Sequence, residues 1–260
     1  MTNRALVRRP SPRLAQGLVS HIDRRPVDVE LAAAQWQRYV VALADAGWEV
    51  VEVPPADDCP DSVFVEDPVV VYRDLAVIAR SGAPARRPEA TGVETAVRAA
   101  GYRVAHIVAP GTLDGGDVLK IGSTVYVGRG GRTNDDGIRQ LASLLAATVV
   151  PVPVTKVLHL KSAVTALPDG SVIGYPPLVD DPSVFAGFRA VPEEAGSHVV
   201  LLGGDRVLMA ASAPATAALL ASMGLDPVAV DISEFEKLEG CVTCLSVRLR
   251  PVSGAAPEAR

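Results

Sequence analysis

The sequence predicts an α/β fold built as a circular array of five similar units. Three observations lead there. First, three segments repeat one order, an apolar helical stretch, a glycine and then a strand: Ala46-Gly47-Trp48-Glu49-Val50, Ala100-Gly101-Tyr102-Arg103-Val104 and Met223-Gly224-Leu225-Asp226-Pro227. Second, strand–turn–strand pairs recur at spacings of roughly 40–55 residues, the range of architectures whose repeats stack or form propellers. Third, the final strand segment, Thr243–Leu249, can pair with the first, Arg4–Val7, which would close a ring. A doubly wound sheet with ordinary βα alternation is the alternative. The closing pair ranks the circular array above it.

The elements follow in order. After the strand Arg4–Val7, Trp36, Tyr39, Val40 and Leu43 recur at i, i+3, i+4 and i+7, one face of a helix. Gly47 fits the position just past the end of that helix, where a positive φ is required. A strand follows from Trp48. Val63–Val65, Val69–Tyr72 and Ala76–Ala79 then read as strands, and a second helix ends at Gly101 before the strand from Tyr102. Val118–Ile121 pairs with Thr124–Val127, and a third helix, Asp136–Ala147, lacks the glycine exit. Ala163–Leu167 pairs with Ser171–Ile173, and Val199–Leu202 with Arg206–Ala210. The last helix leads through Gly224 to a strand ending at Val230. No linker divides residues 1–252, which read as one unit; the Ala-Pro-rich tail 253–260 reads as disordered.

Composition narrows the function classes. The 260 residues are 48% hydrophobic and 21% charged, a globular balance, with a net charge of −5. No basic stripe interleaved with aromatics is present, which argues against nucleic acid. The longest apolar runs are too short to span a bilayer, and the first residues lack a secretory apolar core, so a cytoplasmic setting is expected. Three cysteines form no disulfide framework. Oligomeric state is left open, with a homodimer as one form.

Three short segments carry reactive side chains beside apolar runs. They are Leu113-Asp114-Gly115-Gly116-Asp117, Leu158-His159-Leu160-Lys161-Ser162 and Cys241-Val242-Thr243-Cys244. A cysteine, a histidine and an acid are the parts of an activated-thiol site: nucleophile, proton carrier and the group that orients it. Each has a plainer reading. A free cysteine is often a small buried hydrophobe, and Asp-Gly suits a turn. Cys244 is read as opening the strand Leu245–Leu249. Cys241 completes a CxxC pair, without the surrounding βαβ pattern of a thioredoxin-like motif. Cys59, His21, His106 and His198 have no motif around them. Asp61, Glu66 and Asp67 stand among Val63, Phe64 and Val65. Acids buried there need a compensating cation, and a cationic substrate would supply one.

These stretches, with Gly82-Ala-Pro-Ala-Arg-Arg87, Gly131-Arg-Thr-Asn134 and Glu239-Gly-Cys-Val-Thr-Cys-Leu-Ser246, resemble the dimethylarginine dimethylaminohydrolases. That family belongs to the guanidino-modifying group that also holds arginine deiminases and amidinotransferases. The resemblance spans about residues 5–250 in the family's order. It implies a five-bladed αβ propeller of ββαβ modules around a pseudo-fivefold axis. It implies Cys244 as nucleophile, His159 as general acid/base and Asp114 as the acid that orients it. Asp67 would hold the guanidinium, with Asp61 and Glu66 nearby. Arg86 and Arg132 would bind the substrate carboxylate, Leu18 would sit on a closing N-terminal loop, and Leu238 would offer a backbone contact. The substrate implied is a small methylarginine, with no cofactor; zinc captured by Cys244 and His159 would inhibit. Lys161 stands where the deiminases usually carry an acid, which favours methylarginines over arginine. An arginine or agmatine deiminase, and a catalytically dead arginine-binding module, are the alternatives.

Overall fold

The computed structural model describes residues 2–251; the tail 253–260, expected to be disordered, lies outside them. The chain starts with β1 (Arg4–Val7), α1 (Val29–Asp45) and β2 (Glu49–Glu52). Next come β3 (Val69–Tyr72), β4 (Leu75–Ile78), α2 (Val93–Ala99) and β5 (Arg103–His106), then β6 (Val118–Ile121), β7 (Thr124–Arg129), α3 (Asp135–Leu144) and β8 (Thr148–Pro153). After β9 (Val164–Ala166), β10 (Val172–Gly174) and β11 (Phe188–Ala190) follow β12 (Val199–Gly203), β13 (Arg206–Ala210), α4 (Pro214–Ser222) and β14 (Asp226–Val230). A one-turn helix α5 (Ser233–Glu236) and β15 (Val247–Leu249) complete the chain.

These strands make five separate three-stranded sheets, and the doubly wound alternative falls. In each, the middle strand pairs antiparallel with the first strand and parallel with the third, as β4 does with β3 and β5. The helix crosses between the second and third strands. One module is assembled from both ends of the chain: β1 pairs antiparallel with β15, Leu6 opposite Val247, and parallel with β2. The expected closure therefore holds, although only Val247–Leu249 of the expected strand forms it. Cys244 sits in the turn before β15, because Cys241–Leu245 fold back on themselves: Cys244 N donates to Cys241 O at 3.1 Å. The Val63–Val65 strand is absent as well. Residues 61–68 form successive turns, with Phe64 N bonded to Asp61 O and Asp67 N to Phe64 O. The fourth module lacks an α-helix and crosses through 3-10 turns at Pro176–Leu178 and Pro182–Val184, where the prolines limit helix growth.

Five apolar cores hold the ring, one between each pair of neighbouring modules. Strand alternation explains them, since successive side chains point to opposite faces. Ala5 and Val7 enter the core shared with β13 and β14, and Leu6 enters the core shared with β3 and β4. Val70 faces β6 and β7, and Val69 and Val71 face the other way. The remaining cores join β6–β8 to β9–β10 and β10 to β12–β13. Both faces of the inner strands are thus covered, so β3 and β4 read VVVY and LAVI without alternation. Each such side chain contributes about 1.5–3 kcal/mol on burial. The expected helix exits also form, with φ of +86° at Gly47, +88° at Gly101 and +87° at Gly224.

Candidate active site

The modular repeat decides where the chemistry lies. Residues Asp61–Asp67, Asp114, His159 and Cys244 lie on loops that leave the third strand of one module and enter the first strand of the next. Leu18, Arg86 and Arg132 lie on the second-strand-to-helix connections of three consecutive modules. Both sets of loops open at the same end of the ring. Leu18, Asp61, Asp67 and Arg86 line a narrow cleft there together with Arg132, His159, Leu238 and Cys244. The cleft is nearly closed, with a cavity volume of only about 10 Å³.

His159 is held from two sides. Its Nε2 lies 3.2 Å from Asp114 Oδ2 and its Nδ1 3.8 Å from Asp67 Oδ1. Burial, the largest influence, works against an imidazolium here. Asp67, the hydrogen bond with Asp114, and Asp117 together outweigh it and raise His159 to about 9. Asp114 is fully buried behind the ring, where it also accepts from Arg132 Nη1 at 3.2 Å and Gly82 N at 3.2 Å. Burial pushes its carboxyl up, but His159 and Arg86 hold it well below the usual range. Gly116 lets the imidazole approach: a Cβ there would lie 2.6 Å from His159 Nδ1 and 2.8 Å from Asp67 Oδ1.

Cys244 is buried, with its Sγ 3.3 Å from Cys241 Sγ. Its thiol is pushed well up, first by the hydrogen bond with Cys241, then by burial and by the negative charges of Cys241, Glu66 and Asp67. The turn that presents it is fixed by Tyr39, whose hydroxyl donates to Val242 O at 2.8 Å and meets Ser246 Oγ at 2.8 Å.

The structure separates residues that the sequence places side by side. Glu66 does not line the cleft. Its side chain turns into a second cavity with Lys120 and Arg248, and pairs there with Lys161. Lys161 therefore presents no charge to the cleft, and the place where the deiminases carry an acid holds a cation already paired with Glu66. Adjacent strand-entry residues 66 and 67 face opposite ways, so only Asp67 remains with His159. Arg86 lines the cleft, but its fork is committed: Nε and Nη2 bond Glu89, and Nη1 bonds Asp67 Oδ2 at 2.7 Å. Arg132 is less engaged, with Nη1 on Asp114. Asp61 accepts from Leu18 N with both oxygens, at 3.1 and 3.2 Å.

Several contributors escaped sequence reasoning. Glu239 lines the cleft at φ +61° and accepts from Ser20 N at 2.9 Å, Ser20 Oγ at 3.2 Å and His21 N at 2.5 Å. It straps the N-terminal loop across the opening. Asp117 accepts from Leu160 N at 3.0 Å and Thr133 Oγ1 at 2.6 Å, tying the His159 turn to the neighbouring module. Burial raises Asp117 to about 6. Glu89 was visible only as an acid three residues after Arg86. Among the described residues no three His, Cys, Asp or Glu side chains group to hold a metal ion, so zinc at Cys244 and His159 would have two protein ligands. Among them, too, no helix is long and apolar enough to cross a membrane.

The chain matches the arginine deiminase family over residues 49–232. It is 67% identical over 252 residues to the N(G),N(G)-dimethylarginine dimethylaminohydrolase of Streptomyces coelicolor, covering 96% of this chain and 98% of that one. The corresponding protein of Pseudomonas aeruginosa, in a cysteine-to-serine variant complexed with citrulline, superposes with a TM-score of 0.89 at 33% identity, covering 96% of this chain and 100% of that one. A dimethylarginine dimethylaminohydrolase carrying a histidine-to-glycine change, solved as an adduct with S-methyl-L-thiocitrulline, also gives 0.89 at 32% identity, with the same coverage. The five-module ring, the convergence of cysteine, histidine and acids on one cleft, and these similarities agree: the chain belongs to the dimethylarginine dimethylaminohydrolase family, within the arginine deiminase family.

Proposed function

We propose that this enzyme hydrolyses Nω,Nω-dimethyl-L-arginine and Nω-methyl-L-arginine to L-citrulline and the methylated amine. The observation that carries this reading is the single cleft that gathers a thiol, an imidazole raised to about 9, and carboxylates able to hold a guanidinium. In this reading Asp67 and Asp61 hold the guanidinium over Cys244. The arriving positive charge offsets the hydrogen bond with Cys241, the burial and the acids that together hold Cys244 protonated, so that its proton leaves to solvent and the thiolate forms. Cys244 attacks the central guanidinium carbon. His159, protonated at neutral pH, gives its proton to the departing amine, leaving a covalent thiouronium on Cys244. His159 then takes a proton from water, which attacks the same carbon and releases citrulline. Asp114 keeps the imidazole oriented.

Arg132 binds the substrate carboxylate, for which its planar fork is suited. Arg86, already forked onto Glu89, positions Asp67. Leu18 closes over the substrate, and Leu238 contacts it from the loop before Cys244. A cytoplasmic setting belongs to this reading and is supported by the three free cysteines.

The test is citrulline formation from dimethylarginine, monomethylarginine and arginine by the wild type and by Cys244→Ser. The two methylarginines should be converted and the variant should bind them without turnover. Faster conversion of arginine, or turnover by Cys244→Ser, would overturn the proposal.

A further inference from the structure

Cys241 takes no part in the chemistry above, yet its Sγ lies 3.3 Å from that of Cys244. The two residues are the ends of a tight turn closed by the 3.1 Å bond from Cys244 N to Cys241 O. Such a turn keeps its end Cα atoms within about 7 Å, and disulfides span roughly 4.4–6.8 Å. Little backbone movement separates the contact from a bond. The sulfurs are reached from different openings. Cys244 faces the cleft, whereas Cys241 borders a broader groove beside His198 and Ser162. A small oxidant can thus meet Cys241 while the cleft is shut.

The pair also shares its protons unequally. The hydrogen bond from Cys244 holds the Cys241 thiol well below its ordinary value against the opposing effect of burial. Cys241 is the better nucleophile of the two before substrate arrives.

We infer that Cys241 and Cys244 form a reversible disulfide when the substrate-free enzyme meets a hydroperoxide, which removes the Cys244 sulfur from turnover. The Cys241 thiolate attacks the distal peroxide oxygen. The O–O bond breaks, the alkoxide leaves and takes up a proton as an alcohol, and Cys241 becomes a sulfenic acid. The Cys244 sulfur then attacks the Cys241 sulfur. The S–O bond breaks, and hydroxide leaves with the Cys244 proton as water. Two thiols are oxidised by two electrons in total, and one peroxide is reduced. An external thiol reverses the bond by exchange. The loss of turnover rests on the reading of Cys244 as nucleophile; the bond itself does not.

The test uses the full chain, reduced, cleared of thiol and exposed to tert-butyl hydroperoxide without substrate. After alkylation and digestion, the peptide carrying both cysteines should have lost two hydrogens and gained no alkyl group. Dithiothreitol should restore both alkylation and most of the lost turnover. Cys241→Ser should keep turnover before oxidation. After the same exposure the variant, whose Cys244 faces only the shut cleft and has lost the neighbouring sulfur that meets the oxidant, should keep most of its turnover and form no disulfide. Added oxygen on the wild-type cysteines without loss of two hydrogens would overturn the inference, whether or not the variant folds. If the bond forms in a protein that never converts dimethylarginine, the inference stands and the functional reading falls.

Discussion

Replacing Asp114 by asparagine removes one charge from a fully buried network and leaves the shape almost unchanged. Asp114 faces His159, Arg132 and Gly82 at 3.2 Å each. His159 rises from 6.5 to about 9. At about 1.4 kcal/mol per pH unit, this is about 3 kcal/mol of preference for the imidazolium, shared among Asp67, Asp114 and Asp117 against burial. Removing one of the three acids should lower His159 from about 9 toward its ordinary value. The sign for stability follows. A group raised on folding stabilises fully below its unfolded value and loses that contribution as pH rises through the folded value. The wild type should therefore lose His159-linked stability between about pH 6.5 and 9, and Asp114→Asn over a narrower window. The imidazole also loses its orienting partner, so kcat on dimethylarginine should fall by about a hundredfold. NMR titration of the His159 ring, with urea midpoints at several pH values, reads the first effect, and citrulline release reads the second. An unmoved ring titration together with near-wild-type kcat would refute the role of Asp114.

Arg132→Ala should weaken dimethylarginine binding by about 1.5–3 kcal/mol, the worth of a hydrogen bond to a charged group, while an analogue without the α-carboxylate binds both forms alike. Equal loss for both ligands in calorimetry would make Arg132 structural. Iodoacetamide should label Cys244 slowly at neutral pH and faster as pH rises above it, whereas cationic amidine electrophiles should react readily. A Cys244 titration well below neutral, followed by mass spectrometry, would mean that a Cys244–His159 ion pair already exists without substrate. Gly116→Ala places a methyl against His159 and Asp67 and should cost about 1–3 kcal/mol in urea melts, with a larger loss of turnover. Glu239→Gln should loosen the strap at Ser20 and His21, raising KM and proteolysis near Leu18 with little change in kcat; an unchanged KM argues against a strap.

The sequence by itself carried the repeat. Helix periodicity, the three glycine exits and the apolar strands depend on local geometry and on burial of both strand faces, so they are written in neighbouring residues. Closure of the ring by β1 and β15 was legible because the segments Arg4–Val7 and Thr243–Leu249 are both strand-like. The thiol, imidazole and acid segments were legible because their residue types are rare in that order. Tertiary structure decided everything that depends on direction and partnership. Apolar content made Val63–Val65 look like a strand, yet the loop must turn inward to present Asp67, and its backbone bonds itself. Glu66 and Asp67 are adjacent but face different cavities. Arg86 spends its fork on Glu89, Lys161 neutralises Glu66 away from the cleft, and Glu239 reaches back more than two hundred residues to the strap at Ser20. Such pairings follow from burial: a charge removed from water takes the nearest opposite charge in space, and only the closed ring decides which one that is.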